Sequence, residues 1–125
     1  MKLPRREFLH RAIGAAALSA LSNTALALDY PTRPVRIIVG FPPAGTTDIL
    51  ARLIGQWLSQ RLGQQFVIEN RPGASTMIGT EAVVRSPPDG YTLLMAATAI
   101  NATLYENKLN YNFLRDIAPI AGLLQ

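Results

Sequence analysis

The chain has 125 residues, 49% of them apolar and 16% charged, which suits one small domain and excludes a disordered tail. It contains no cysteine, so disulfides, thiolate metal sites, thiol nucleophiles and a lipidated N-terminal cysteine are excluded. The net charge of +4 is concentrated early: residues 1–27 hold four basic side chains against Glu7, and the remainder holds eight basic and seven acidic residues. With no basic stripe there to neutralise phosphates, no nucleic-acid partner is expected.

The N-terminal segment reads as an export address. Met1 to Arg11 is basic, and Ala12 to Leu26 is apolar but rich in Ala, Ser and Gly. Ala25-Leu26-Ala27 then fits the small-x-small cleavage pattern of a secretory signal. The apolar stretch is shorter than the ~20 residues a membrane-spanning helix needs. Cleavage near Ala27 is therefore expected, rather than retention as an anchor, and the mature chain is not expected to be membrane-embedded. Arg5, Arg6, Phe8 and Leu9 match the twin-arginine export pattern, with His10 where that pattern often has Lys. A general secretory signal that happens to hold two arginines is the alternative, and either route leads to the periplasm.

Residues 28–34 are expected to be extended, because Pro31 and Pro34 forbid helix. Val35 to Gly40 is a β-branched, near-continuous apolar run, as in a parallel strand covered on both faces. A turn-rich loop, Phe41 to Thr47, leads to a helix that Thr46 or Thr47 is expected to cap through its hydroxyl, with Asp48 in the first turn. Ile49, Leu50, Leu53, Ile54, Trp57, Leu58 and Leu62 recur at helical spacing, so Trp57 is read as core and Gly63 as the helix stop.

Gln65 to Asn70 predicts a second strand, residues 71–76 a loop, Met77 to Arg85 a second helix and Ser86 to Gly90 a turn. Tyr91 to Ala96 predicts a third strand. A loop over 97–101, a helical turn near Ala102 to Tyr105, an irregular stretch over 111–116 and a fourth strand over 117–124 follow. The alternation argues α/β with a parallel sheet.

In open α/β sheets ligands bind beyond the carboxyl ends of the strands. Three loops qualify: 41–48, 70–76 and 97–101. Their small residues let a ligand approach the backbone, and the first feeds a helix N-terminus, which suits an anion such as a carboxylate. Ordinary turn chemistry explains the same composition equally well. Gly40-x4-Gly45-Thr46-Thr47 is not a P-loop, since Thr46 stands where the phosphate-binding lysine is required and two prolines remove amide donors. The only histidine, His10, lies in the export segment, so nucleophilic triads and histidine–cysteine zinc sites are excluded beyond it. An Asp48–Glu69 carboxylate pair is disfavoured; Glu69 is expected to face solvent or to pair with an arginine. Arg71 has the fork to bind a carboxylate, though a lone exposed arginine is more often a surface charge. The expectation is a non-enzyme that uses no cofactor and no metal.

Four segments in register resemble one family: Tyr30-Pro31-x-x-Pro34-Val35-Arg36, Phe41 to Asp48, Glu69 to Ala74, and Pro88 to Leu94. They resemble the Bug family, the extracytoplasmic solute receptors of tripartite tricarboxylate transporters. The resemblance implies a type II periplasmic binding protein fold with a ligand cleft between two α/β domains. It implies capture of a small carboxylate and delivery to the transporter's membrane subunits. Carried onto this chain, the expected ligand-binding residues are Phe41, Ala44, Gly45, Thr46, Thr47, Asp48, Asn70, Gly73, Ala74, Thr98, Ala99 and Asn101. Many members have Gly-Gly where this chain has Ala44-Gly45, which Ala tolerates only at φ below zero. The resemblance also implies that residues 28–125 form an incomplete βαβαβ half-domain, the first part of domain 1 with domain 2 absent and an apolar edge left uncovered. A sensory module that presents ligand to a membrane sensor, and a fragment without activity of its own, are the alternative functions.

Overall fold

The computed structural model describes residues 29–97 and 109–123, so the expected export segment, Thr98, Ala99, Asn101 and the helical turn expected at 102–105 lie outside the described residues. The elements fall in the unit from Pro31 to Gln125. In chain order they are β1 (Val35–Val39), α1 (Thr46–Leu62), β2 (Phe66–Asn70), a 3-10 turn (Ala74–Thr76), α2 (Met77–Val84), β3 (Thr92–Met95) and α3 (Phe113–Asp116).

The strands form one sheet in the order β2-β1-β3, parallel throughout. Val35 pairs with Phe66, and Val39 pairs with both Asn70 and Met95, so the three strands end together at one rim. β1 is central, which is why its sequence is β-branched on both faces: Val35, Ile37, Ile38 and Val39 are all buried. Val35, Ile37 and Val39 join Ala51 and Phe66 in the core on one face, with Phe41, Leu58, Ile68 and Leu93 packed around them. On the other face Ile38 lies near Gly79 of α2.

α1 packs on the sheet by its small face, not its bulky one. Asp48, Ala51 and Gly55 are its buried residues, and a Cβ on Gly55 would lie 3.0 Å from Ile68 Cδ1 and 3.3 Å from Phe66 O. Ser59 Oγ donates to Gly55 O and accepts Phe66 N–H, which sews the helix to the start of β2. The expected apolar stripe is split: Leu50, Ile54 and Leu58 are half-buried, Leu58 against the core, while Ile49 is 52%, Leu53 58% and Trp57 55% exposed. Trp57 is therefore not core; its ring carries the Arg61 guanidinium 5.1 Å from its centroid.

Two further expectations are corrected. Residues 113–116, expected to be irregular, form α3, capped by the Asn112 side chain accepting Arg115 N–H. No strand forms over 117–123, where Ile120 is 78% exposed.

The rim opposite the strand ends is closed by side chains. Tyr91 Oη accepts Thr32 N–H and lies 3.1 Å from Thr32 Oγ1. Arg33 stacks 4.0 Å from the Tyr91 ring centroid and reaches Asp89 at 2.9 Å, and Asp89 Oδ1 accepts Tyr91 N–H. The first and fourth of the recognised segments thus clasp each other, far from the loops in which a ligand is expected.

Candidate ligand-binding site

The parallel register delivers the loops after β1 and β2 to the same rim. Arg71 N–H donates to Val39 O at 2.8 Å, continuing the sheet one step past the strands. The loops then touch: a Cβ on Gly40 would lie 2.7 Å from Thr76 Cβ, so Gly40 is required for this approach. Between them opens a cleft of about 380 Å³, lined by Gly40, Phe41, Pro42, Pro72, Gly73, Ser75 and Thr76.

The first loop turns sharply into α1. Gly45 is the N-cap, and no side chain caps the turn, which corrects the expectation that Thr46 or Thr47 does so. The Thr46 side chain is exposed and that of Thr47 partly so. The leading amides of a helix have no partner within it, and here no hydroxyl takes them, so they are available to an anion. Ala44 has φ 69°, in the left-handed region. The condition that it lie below zero is not met, and an alanine stands where glycine is the unstrained choice.

What holds Ala44 there is Asp48, one turn on. Its Oδ2 accepts Ala44 N–H at 2.9 Å and Arg52 Nε–H at 2.9 Å; its Oδ1 accepts from Asn70 Nδ2 at 2.8 Å. Asn70 Nδ2 also donates to Phe41 O, and its Oδ1 accepts from Arg52 Nη2 at 3.1 Å. Asp48 is 2% exposed. The Arg52 guanidinium, with help from Ala44 N–H and Asn70, holds its carboxyl down at about 2 and keeps it ionised. Both its oxygens are thus spent inside the protein.

The second loop is also left-handed: Ala74, Ser75 and Thr76 have φ of 46°, 52° and 75°. Thr76 is 6% exposed, and its Oγ1 has no hydrogen-bond partner. Glu69, beside this loop, pairs with Arg36 at 2.7 Å and Arg71 at 2.6 Å; these two guanidiniums, Arg36 foremost, lower its pKa. Glu69 thus pairs with arginine, one of the two outcomes the sequence suggested, and Arg71 is engaged by a carboxylate of this chain.

Of the expected ligand residues, Phe41 and Gly73 line the cleft; Ala44, Gly45, Thr46, Thr47 and Ala74 belong to the two loops beside it. Asp48 and Asn70 lie beneath, bonded to each other. Sequence reasoning placed Ser75 and Thr76 in a candidate loop without singling them out as ligand residues, and passed over Arg52. The turn residues following Gly73 were the available signal for the first two, and the i, i+4 spacing of Asp48 and Arg52 for the third. No group of acidic or histidine side chains suited to a metal occurs among the described residues.

A parallel α/β layer with an anion-suited loop and a cleft at the strand ends defines part of a periplasmic-binding-protein domain. Solved structures agree. Over 66% of this chain and 29% of its own, MatC of Rhodopseudomonas palustris, solved with bound malate, is 35% identical with a TM-score of 0.56. An R. palustris protein solved with adipate is 51% identical over 52% of this chain and 22% of its own, with a TM-score of 0.51. Residues 50–125 match the tripartite tricarboxylate transporter family receptor, TctC, and the chain belongs to that family. BugT of Bordetella pertussis is 42% identical over 74% of this chain and 29% of its own length. A Cupriavidus necator relative is 35% identical over 97% of this chain. The chain spans 38% of that relative, so it corresponds to little more than a third of such proteins.

Proposed function

We propose that this chain is the carboxylate-gripping part of a periplasmic solute receptor, serving the membrane subunits of a tripartite tricarboxylate transporter. The observation that carries it is the α1 N-terminus: uncapped by any side chain, entered by a tight loop, and beside an open cleft at the rim where the strands end. A carboxylate there would replace water on the leading amides of α1, and the helix dipole favours its charge. The bodies of the two ligands seen with relatives, malate and adipate, both end in carboxylates, which suits one shared grip with differing reach. Residues 1–27, with Arg5, Arg6, Phe8 and Leu9, serve as the export signal in this reading, with cleavage near Ala27.

Isothermal calorimetry tests the reading. Malate or adipate is expected to give saturable heat at neutral pH, and the corresponding diamide, which carries no charge, to give none. Equal binding of acid and diamide, or no binding of either acid, overturns it.

A further inference from the structure

We infer that Arg52, acting with Asp48 and Asn70, is a positioning residue that sets the ligand-gripping loop through a bridge between two loops, and that none of the three touches the ligand. The inference deepens the proposed carboxylate reading and rests on it.

Geometry separates these residues from the cleft. None of them lines it, yet Asn70 and Asp48 are bonded to the first loop, part of which does, and Arg52 is bonded to both of them. Asn70 Nδ2 holds Phe41 O at 3.1 Å and immediately precedes the Arg71-Pro72-Gly73 loop. Asp48 holds Ala44 N–H, one residue before the N-cap of α1. Arg52 closes the ring, with Nε on Asp48 at 2.9 Å and Nη2 on Asn70 at 3.1 Å.

Charge makes the same argument. A bare carboxylate beside the α1 N-terminus would repel an incoming acid. Here Asp48 is compensated by the guanidinium and both its oxygens are filled, so the amides of the first turn remain the attractive feature. The bridge also counters strain: Ala44 is at φ 69° and its N–H is fixed by Asp48. Without Arg52, Asp48 and Asn70 keep their mutual bond but lose the fork that orients both. The loop is then free to relax toward φ below zero, which turns the first amides away from the cleft.

Arg52 is 53% exposed, so replacing it leaves the core intact. The discriminating variants are R52M and R52K. Lysine keeps a positive charge beside Asp48 but lacks the planar fork that reaches Asn70 as well. Both variants are expected to weaken malate or adipate affinity by about tenfold, as loss of a charge-assisted hydrogen bond does. Both are expected to speed hydrogen exchange of the Ala44 amide by about the same factor, and R52M to lower the urea midpoint at neutral pH modestly, because Asp48 loses the guanidinium that holds its pKa down. Wild-type affinity and wild-type Ala44 exchange in R52K would reduce Arg52 to a surface ion pair and overturn the inference. A fall in the urea midpoint with Ala44 exchange unchanged would overturn it too. Failure of the wild-type chain to bind either acid overturns the carboxylate reading instead, while the exchange measurement still tests the bridge.

Discussion

At Ala44, one backbone angle shows the cost of shaping a loop for something other than stability. An L-residue in the left-handed region costs roughly 1–2 kcal/mol, and glycine escapes most of that. The Ala44 side chain is exposed, so its methyl offsets little by burial. A44G is therefore expected to raise stability by about 0.5–1 kcal/mol after glycine's extra chain entropy is set against the relieved strain, read as a higher urea midpoint. An unchanged or lower midpoint would mean that the angle carries no strain. Thr76 shares the positive φ, but its side chain packs on Gly40, so relief there would be confounded by lost contact. The angle at Ala44 was not legible in the sequence. Small and turn-forming residues announced a bend, but its left-handed form goes with the bond from Ala44 N–H to the Asp48 carboxylate four residues away, and the hydroxyls at 46 and 47 suggested a cap that does not form, since Gly45 is the N-cap.

The helix that follows was legible as a helix and misread in its rotation. Bulky apolar residues at 49, 53 and 57 form one row, while small residues at 51, 55 and 59 form the adjacent one. Periodicity alone favours the bulky row as the buried face. Close approach decided otherwise: Gly55 lets the α1 backbone come within contact of Ile68 and Phe66, and Ser59 uses its hydroxyl to join β2. G55A puts this to the test, because propensity and packing oppose each other. Alanine is worth about 1 kcal/mol over glycine in a helix interior. The added Cβ meets Ile68 Cδ1 at 3.0 Å and a backbone oxygen at 3.3 Å, and overpacking of that kind costs about 1–3 kcal/mol. A net loss of about 1 kcal/mol is expected in urea unfolding, whereas W57Q, on the outward row, is expected to change stability by less than about 0.5 kcal/mol. A stabilised G55A would mean that the contact is looser than it stands.

Across the whole molecule, the parallel sheet was readable from alternation and β-branched runs, and the loops after its first two strands do meet at one rim. The polar ties between distant segments were not readable, because partners such as Arg36 with Glu69, or Asp48 with Asn70, adjoin only once β1 and β2 are in register. Those ties make the fold depend on ionised carboxylates. Asp48 sits at about 2 against an ordinary 3.8, chiefly through Arg52, and Glu69 lies below its ordinary 4.5, chiefly through Arg36. A folded-state pKa below the unfolded one means that the unfolded chain takes up protons first as pH falls. The contribution of both groups is therefore complete above about pH 5 and drains away through the range from about 4.5 down to 2. The urea midpoint is expected to stay level from pH 7 to 5 and then to fall steeply, with E69Q lowering the plateau and blunting the upper part of the decline. A midpoint still level at pH 2.5 would show that these ion pairs hold no net stability in the folded chain, leaving the two loops joined by neutral contacts such as Asn70 Nδ2 to Phe41 O and Thr76 against Gly40.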